Sequence, residues 1–417
     1  MSLANQLPDF PWDSLAEARR VAGEHPGGIV DLSVGTPVDP TPEIAKDALA
    51  AASDAHGYPT VWGTPELRDG IVGYLERRWK ARGLRHESVL PVIGTKELVG
   101  WLPTFLGLGA GDVVVHPGIA YPTYEVGARA AGTSPVACDD PDAIPAGTKL
   151  IWINSPANPS GRILSPEQLR AWVVSARCEG AVLASDECYG EFAWDKETLS
   201  VLDPRVNDGN FSGLLAVHSV SKRSNAAGYR AGFVAGDPVV VQDLVQVRKH
   251  LGMMVPGPIQ AALKALLADQ EHVEEQRRRY LARRAVLRPA LEAAGFRVDD
   301  SEGSLYLWVT RGEPCRDTIA WLAQRGILAA PGDFYGTSGA SHVRVALTAT
   351  DERIASAAAR LGGATSGQLI TAGTGSGWSP ERRVVQTVPV PDHFAPGSDT
   401  TARNSGHPVR TSSTRIT

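Results

Sequence analysis

The chain has 417 residues, of which 43% are hydrophobic and 21% charged, enough apolar material for the cores of two ordinary domains. Its 41 lysines and arginines against 46 acidic residues give a net charge of −5, which supplies no polybasic field for nucleic acid or an anionic membrane and points to small-molecule partners. The four cysteines, Cys138, Cys178, Cys188 and Cys315, form no CxxC pair and have no metal-type spacing, so free thiols and no metal are expected. Nowhere do about 18 apolar residues run together. The opening MSLANQLPDFPWDSL has no basic stretch followed by an apolar one. A cytoplasmic protein is expected.

In chain order, helical patterns alternate with short apolar runs between Pro42 and Pro238. Periodicity predicts a helix over 65–82, strands over 113–116 and 150–154, a helix over 166–178, and strands over 182–185 and 214–219. Such alternation implies a mainly parallel α/β sheet. The glycines of 107–111 precede a strand instead of following one, so they mark a turn and not a dinucleotide fingerprint. Residues 260–294, which include EHVEEQRRRYLARR, carry apolar positions at helical spacing and predict one long connecting helix. Strands over 296–298, 305–309 and 342–347 around a helix over 316–324 then suggest a smaller α+β unit, against which the N-terminal segment is expected to pack. From Ala364 the sequence is rich in Ser, Thr, Gly and Pro without apolar period, which predicts a disordered tail.

Four segments could carry chemistry. The run VHSVSK brings an apolar strand to two hydroxyls and Lys222, with Arg230 a few residues on. Desolvation and neighbouring cations lower a lysine pKa and free its amine to attack a carbonyl. Hydroxyls and a guanidinium suit a phosphate. Taken alone, a lysine after a strand is ordinarily a surface residue. The run VLASDECY ends another strand at Asp186, with Tyr189 beyond it. Ligands of parallel sheets sit past the carboxyl ends of strands, so Asp186 and Lys222 would share a crevice if their strands are neighbours. An aspartate there could keep a pyridine nitrogen protonated, or simply cap a helix. The loop NSPANPSGR, 154–162, can aim an amide rigidly, and GTKE, 94–97, offers either a helix cap or backbone N–H groups to a phosphate.

Together with SVGTP (33–37), YPTVWGTPELR (58–68), YPTY (121–124) and HVRVAL (342–347), these motifs stand in the order found in the class I/II aminotransferases, and the chain resembles that family over about residues 8–363. The resemblance implies a pyridoxal-phosphate-dependent transferase of aspartate aminotransferase-like α/β fold. Its large domain would span 42–250, and its small domain 1–41 with 251–363, leaving 364–417 as tail. It implies that Lys222 forms the Schiff base with pyridoxal 5'-phosphate and shuttles the proton, and that Asp186 pairs with the ring nitrogen. Tyr189 and Asn158 would bond the phenolic oxygen, and Tyr121 would stack on the ring. Thr95, Lys96, Ser219, Ser221 and Arg230 would surround the phosphate. Arg344 would grip the substrate carboxylate, Gly35 would lie against the substrate, and Tyr58 would reach the cofactor of the partner subunit, making a homodimer.

Stretches such as DLSVGTPVDP, VRKHLGMMVP and VRVALTATDER further resemble actinobacterial N-succinyl-diaminopimelate aminotransferases. The implied reaction passes the amino group of glutamate to N-succinyl-2-amino-6-oxopimelate in lysine and diaminopimelate synthesis. Its extra carboxylates call for further cations, for which Lys96, Arg248 and Lys249 are candidates. An aromatic or prephenate aminotransferase and a β-eliminating lyase share the same core residues, and fold does not separate them. From another class, Ser219 to Lys222 spells the S-x-x-K of serine acylating hydrolases, but the S-D-N and K-T-G elements are matched only by the scrambled approximations SDE and GTK.

Overall fold

Every residue of the strand Leu214–Ser219 and all but the first of Val182–Asp186 are buried, the pattern of strands covered on both faces. They are the third and fourth strands of a seven-stranded sheet in a computed structural model that describes residues 7–8 and 11–362. The sheet order is Val89–Val92, Gly232–Gly236, Leu214–Ser219, Val182–Asp186, Thr148–Asn154, Val113–His116 and Ser134–Ala137. The last five run parallel, whereas Gly232–Gly236 is antiparallel to both its neighbours. One face packs on Leu75, Trp79, Leu169 and Trp172, the other on Leu98, Leu102 and Tyr124. The register sets Asn154 opposite Asp186 and Asp186 opposite Val217, which brings three strand ends side by side.

Downstream, Ala330–Pro331, Val343–Ala346, Tyr306–Thr310 and Arg297–Asp299 form an antiparallel sheet in that order. Val30–Asp31 pairs in parallel with Ile327–Leu328. Tyr280, Phe296, Trp308 and Leu322 fill the core around these strands.

The single helix expected over 260–294 is instead two, Gly257–Ala268 and Glu271–Ala293. The Arg223 guanidinium donates to the Leu266 and Asp269 carbonyls at 2.7 and 3.2 Å, satisfying acceptors at the end of the first helix. The Asp269 carboxylate accepts from the Glu271 and His272 N–H groups and starts the second. Helix Pro65–Trp79 stops three residues before the expected end because Lys80 turns left-handed, with φ 56°. All four cysteines are free. Among the described residues no helix is long and apolar enough to cross a membrane. The segment 364–417, expected to be disordered, lies outside the described residues.

Candidate active site

Asp186 closes its strand with a carboxylate that is 7% exposed. Oδ2 accepts the Tyr124 hydroxyl at 2.8 Å and Oδ1 the Cys188 N–H at 3.1 Å. Residues 188–191 are a turn, so the alternative of Asp186 as a helix cap gives way to a local turn bond plus a long-range one. Burial pushes this carboxyl above the usual range, and the bonds from Cys188 and Tyr124 only partly oppose it. Asn154 holds the neighbouring strand end in line: its Nδ2 donates to the Asp186 carbonyl at 2.8 Å, while its Oδ1 accepts the Asn158 N–H at 2.7 Å.

Lys222 lies in the four-residue helix Val220–Arg223 that follows the next strand, whose last residue, Ser219, caps it by accepting the Ser221 N–H at 3.1 Å. The lysine Nζ donates to the carbonyl of Gly35. Burial holds its ammonium below the usual lysine range; Arg344 and Arg230 act in the same direction, against Tyr306 and Cys188. Its amine is therefore more readily neutral, as attack on a carbonyl requires.

A second cluster lies at the start of helix Thr95–Phe105. Arg230, left-handed at φ 51°, brings its guanidinium so close to Gly94 that a Cβ there would stand 2.3 Å from Nη2. Thr95 lies beside Gly232, where an added Cβ would be 3.0 Å from its methyl, and Gly232 pairs with Ser219 across the sheet. A guanidinium, two hydroxyls and the open N–H groups of a helix start therefore converge where side chains have been cleared away, a donor set that suits a phosphate. Ser221 is half-buried beside Ser219, whereas Lys96 is exposed on the helix.

From the antiparallel sheet comes Arg344, 3% exposed. Nη1 donates to Asn158 Oδ1 at 2.9 Å and Nη2 to the Ser33 carbonyl at 2.6 Å, and its carbon lies 4.0 Å from the Tyr306 ring centre. Nε has no acceptor. The Tyr306 hydroxyl is 2.9 Å from that of Tyr189, and a Cβ on Gly35 would stand 2.0 Å from it, so only glycine fits there. Tyr121 meets Tyr124 edge to face at 5.8 Å, its phenol pushed up to about 12 by burial.

Tyr58 does not join this cluster; it is 96% exposed. Of the cations suggested for distal carboxylates, Arg248 is fully buried and forks onto Glu97 at 2.9 and 3.2 Å, and Lys249 is exposed on the same helix. Sequence reasoning missed Tyr124, Ser33 and Tyr306. For Tyr124 a signal existed, since it shares the YPTY motif with Tyr121.

Residues 28–361 match the family described as aminotransferase class I and II. The chain is 60% identical over 356 residues to a probable aminotransferase, Rv1178, of Mycobacterium tuberculosis, covering 85% of each. It is 55% identical to the 4-dedimethylamino-4-oxo-anhydrotetracycline transaminase OxyQ of Streptomyces rimosus, covering 85% of this chain and 99% of the relative. An LL-diaminopimelate aminotransferase of Aquifex aeolicus is 31% identical over 85% of this chain and 96% of its own length. A solved aminotransferase of Neisseria meningitidis superposes with a TM-score of 0.78 at 30% identity, covering 86% of this chain and 98% of that one. The fold is aspartate aminotransferase-like. The chain belongs to the class I and II aminotransferases, a family that works with pyridoxal 5'-phosphate.

Proposed function

We propose that this aminotransferase moves the amino group of glutamate to N-succinyl-2-amino-6-oxopimelate, forming N-succinyl-LL-2,6-diaminopimelate and 2-oxoglutarate in diaminopimelate and lysine synthesis. The observation that carries the reading is the half-buried Lys222 amine at the Gly35 carbonyl, with Asp186 at the end of the neighbouring strand and Arg344 close enough to act on its charge. The cleared corner at Gly94 and Arg230 fits the cofactor's phosphate, and the buried Asp186 carboxylate fits its ring nitrogen. When bound, pyridoxal 5'-phosphate supplies an electron sink that makes the substrate's α-proton acidic.

The chain's own residues then divide the work. Lys222 takes the proton from the substrate α-carbon and returns it on the other side of the transfer. Asp186, ionised and braced by Tyr124, keeps a proton on the ring nitrogen. Tyr189 and Asn158 donate to the phenolic oxygen. Thr95, Lys96, Ser219, Ser221 and Arg230 hold the phosphate. Arg344 receives the substrate carboxylate, Asn158 orients that guanidinium, and Gly35 leaves room for the substrate. Tyr121 and Tyr306 cover the site and exclude water. The exposed Tyr58 would complete the site of a partner subunit in a homodimer. In this reading 42–250 form the cofactor-binding domain, 1–41 with 251–363 the smaller one, and the enzyme is cytoplasmic.

The sequence motifs and the diaminopimelate named in the Aquifex relative support the acyclic substrate. A second reading, amino transfer to a cyclic aromatic ketone, is favoured by the 55% identity to the anhydrotetracycline transaminase and by the tyrosines around Arg344. An acceptor panel separates them. Holoenzyme converted by glutamate is offered the succinylated oxopimelate, prephenate and an aromatic ketone. Recovery of the original visible spectrum with the first alone is expected. Recovery only with another acceptor would replace the substrate and keep the mechanism.

A further inference from the structure

Arg344 is ringed by four phenols, those of Tyr335, Tyr306, Tyr189 and Tyr121. Two of these hydroxyls satisfy each other, since Tyr189 and Tyr306 pair at 2.9 Å, and that of Tyr121 bonds Thr123. The Tyr335 hydroxyl has no partner, although its residue is only 2% exposed. The Nε of Arg344, whose guanidinium carbon lies 5.2 Å from the centre of the Tyr335 ring, is also buried and without an acceptor. Two buried donors left open on neighbouring side chains are unusual, because each costs its full desolvation when nothing accepts from it.

The position of Tyr335 is imposed by its surroundings. Its carbonyl accepts the Ala120 N–H at 2.8 Å, one residue from Tyr121. Gly336 follows at φ 120°, where a Cβ would stand 2.4 Å from the Gly118 carbonyl oxygen. The ring meets Trp308 edge to face at 6.1 Å, and the Arg344 carbon lies 5.2 Å from its centre. Burial drives the phenol far above its ordinary range, so it carries its proton at any working pH and can only donate to an anion.

We propose that the Tyr335 hydroxyl is a specificity-determining donor to the substrate, sharing with the Arg344 Nε the oxyanion of the group that Arg344 binds. The ligand class is a carboxylate, or another delocalised oxyanion of similar width. A phenol adds a directional bond without a second charge, which favours an anion already paired with the guanidinium over one bound by charge alone. The proposal rests on the reading of Arg344 as the carboxylate site.

Glutarate, which is glutamate without its amino group, is the probe, titrated by calorimetry into the holoenzyme of wild type, Tyr335→Phe, Arg344→Gln and the double variant. The Tyr335→Phe substitution is expected to weaken glutarate about tenfold. In the glutamate half-reaction it should raise KM by a similar factor with kcat within about twofold. Its melting temperature should rise by about 1–3 °C, because an unsatisfied buried hydroxyl has been removed. A merely structural hydroxyl would lower it. In the Arg344→Gln background the Tyr335 substitution should add little. Wild-type glutarate affinity in Tyr335→Phe, with affinity lost in Arg344→Gln, overturns the role of Tyr335 and leaves the carboxylate site standing. Wild-type affinity in Arg344→Gln overturns the carboxylate site itself, and the proposal with it.

Discussion

Asn158 Oδ1 accepts Nη1 of Arg344 at 2.9 Å, a bond between residues 186 positions apart that joins a loop of the parallel sheet to a strand of the antiparallel one. The backbone N–H of the same asparagine is fixed by Asn154, whose amide also holds the Asp186 carbonyl. Arg344 and the aspartate of the strand end are thus aligned through two amides. Replacing Asn158 by Ala leaves Nη1 without this acceptor. The expected result is a loss of about tenfold or more in kcat/KM for glutamate, read in the single-turnover half-reaction, together with a lower melting temperature because a buried donor is left open.

Tyr124→Phe is expected to act through Asp186. The tyrosine hydroxyl favours the ionised carboxylate, so removing it raises a pKa that burial has already lifted. Ionised Asp186 is then lost at a higher pH than in wild type, and the acid limb of the pH–rate profile should move upward by about half to one unit, as one hydrogen bond of about 1 kcal/mol implies. Rates measured between pH 5 and 9 check it. An unmoved limb would separate Asp186 from the rate.

Much of this arrangement was legible in the sequence where local pattern decides. The runs VVVH and LLAVHS coincide with the strands Val113–His116 and Leu214–Ser219, because short apolar runs fit strands covered on both faces. The strand ends at Asp186 and before Lys222 were readable for the same reason, but that the two strands are neighbours comes from the sheet order. The break at Asp269 was not, since helical spacing continues through it and the interruption is made by Arg223, 46 positions away. Tyr306 was hidden as well: its place beside Tyr189 comes from the packing of a strand 117 residues downstream. The strands Val89–Val92 and Gly232–Gly236 are four and five residues long, and the second contains two glycines, which weakens any periodic signal.

Asp39 anchors the segment that carries Gly35. Its carboxylate meets Arg283 at 2.6 and 2.7 Å and accepts Gln276 Nε2 at 2.7 Å. Burial raises its pKa, but the bonds from Arg283 and Gln276 outweigh this and hold it below the usual carboxylate range. Such a group stabilises the fold above its unfolded pKa, and the contribution fades as pH falls through the folded value. Asp39→Asn is therefore expected to cost about 2–3 kcal/mol at pH 7 and progressively less below about pH 4. Urea unfolding at pH 7 and pH 3 measures both. An equal cost at the two values would remove the ion pair from the explanation.

If the amine of Lys222 carries the proton of the transfer, a single turnover of holoenzyme with glutamate, wild type against Lys222→Ala, shows it most directly. Wild type is expected to lose the visible absorbance of its lysine-bound cofactor and release 2-oxoglutarate. Lys222→Ala should retain cofactor and fold and release 2-oxoglutarate at least about a thousandfold more slowly. Release by Lys222→Ala at close to the wild-type rate would remove the lysine from the proton transfer.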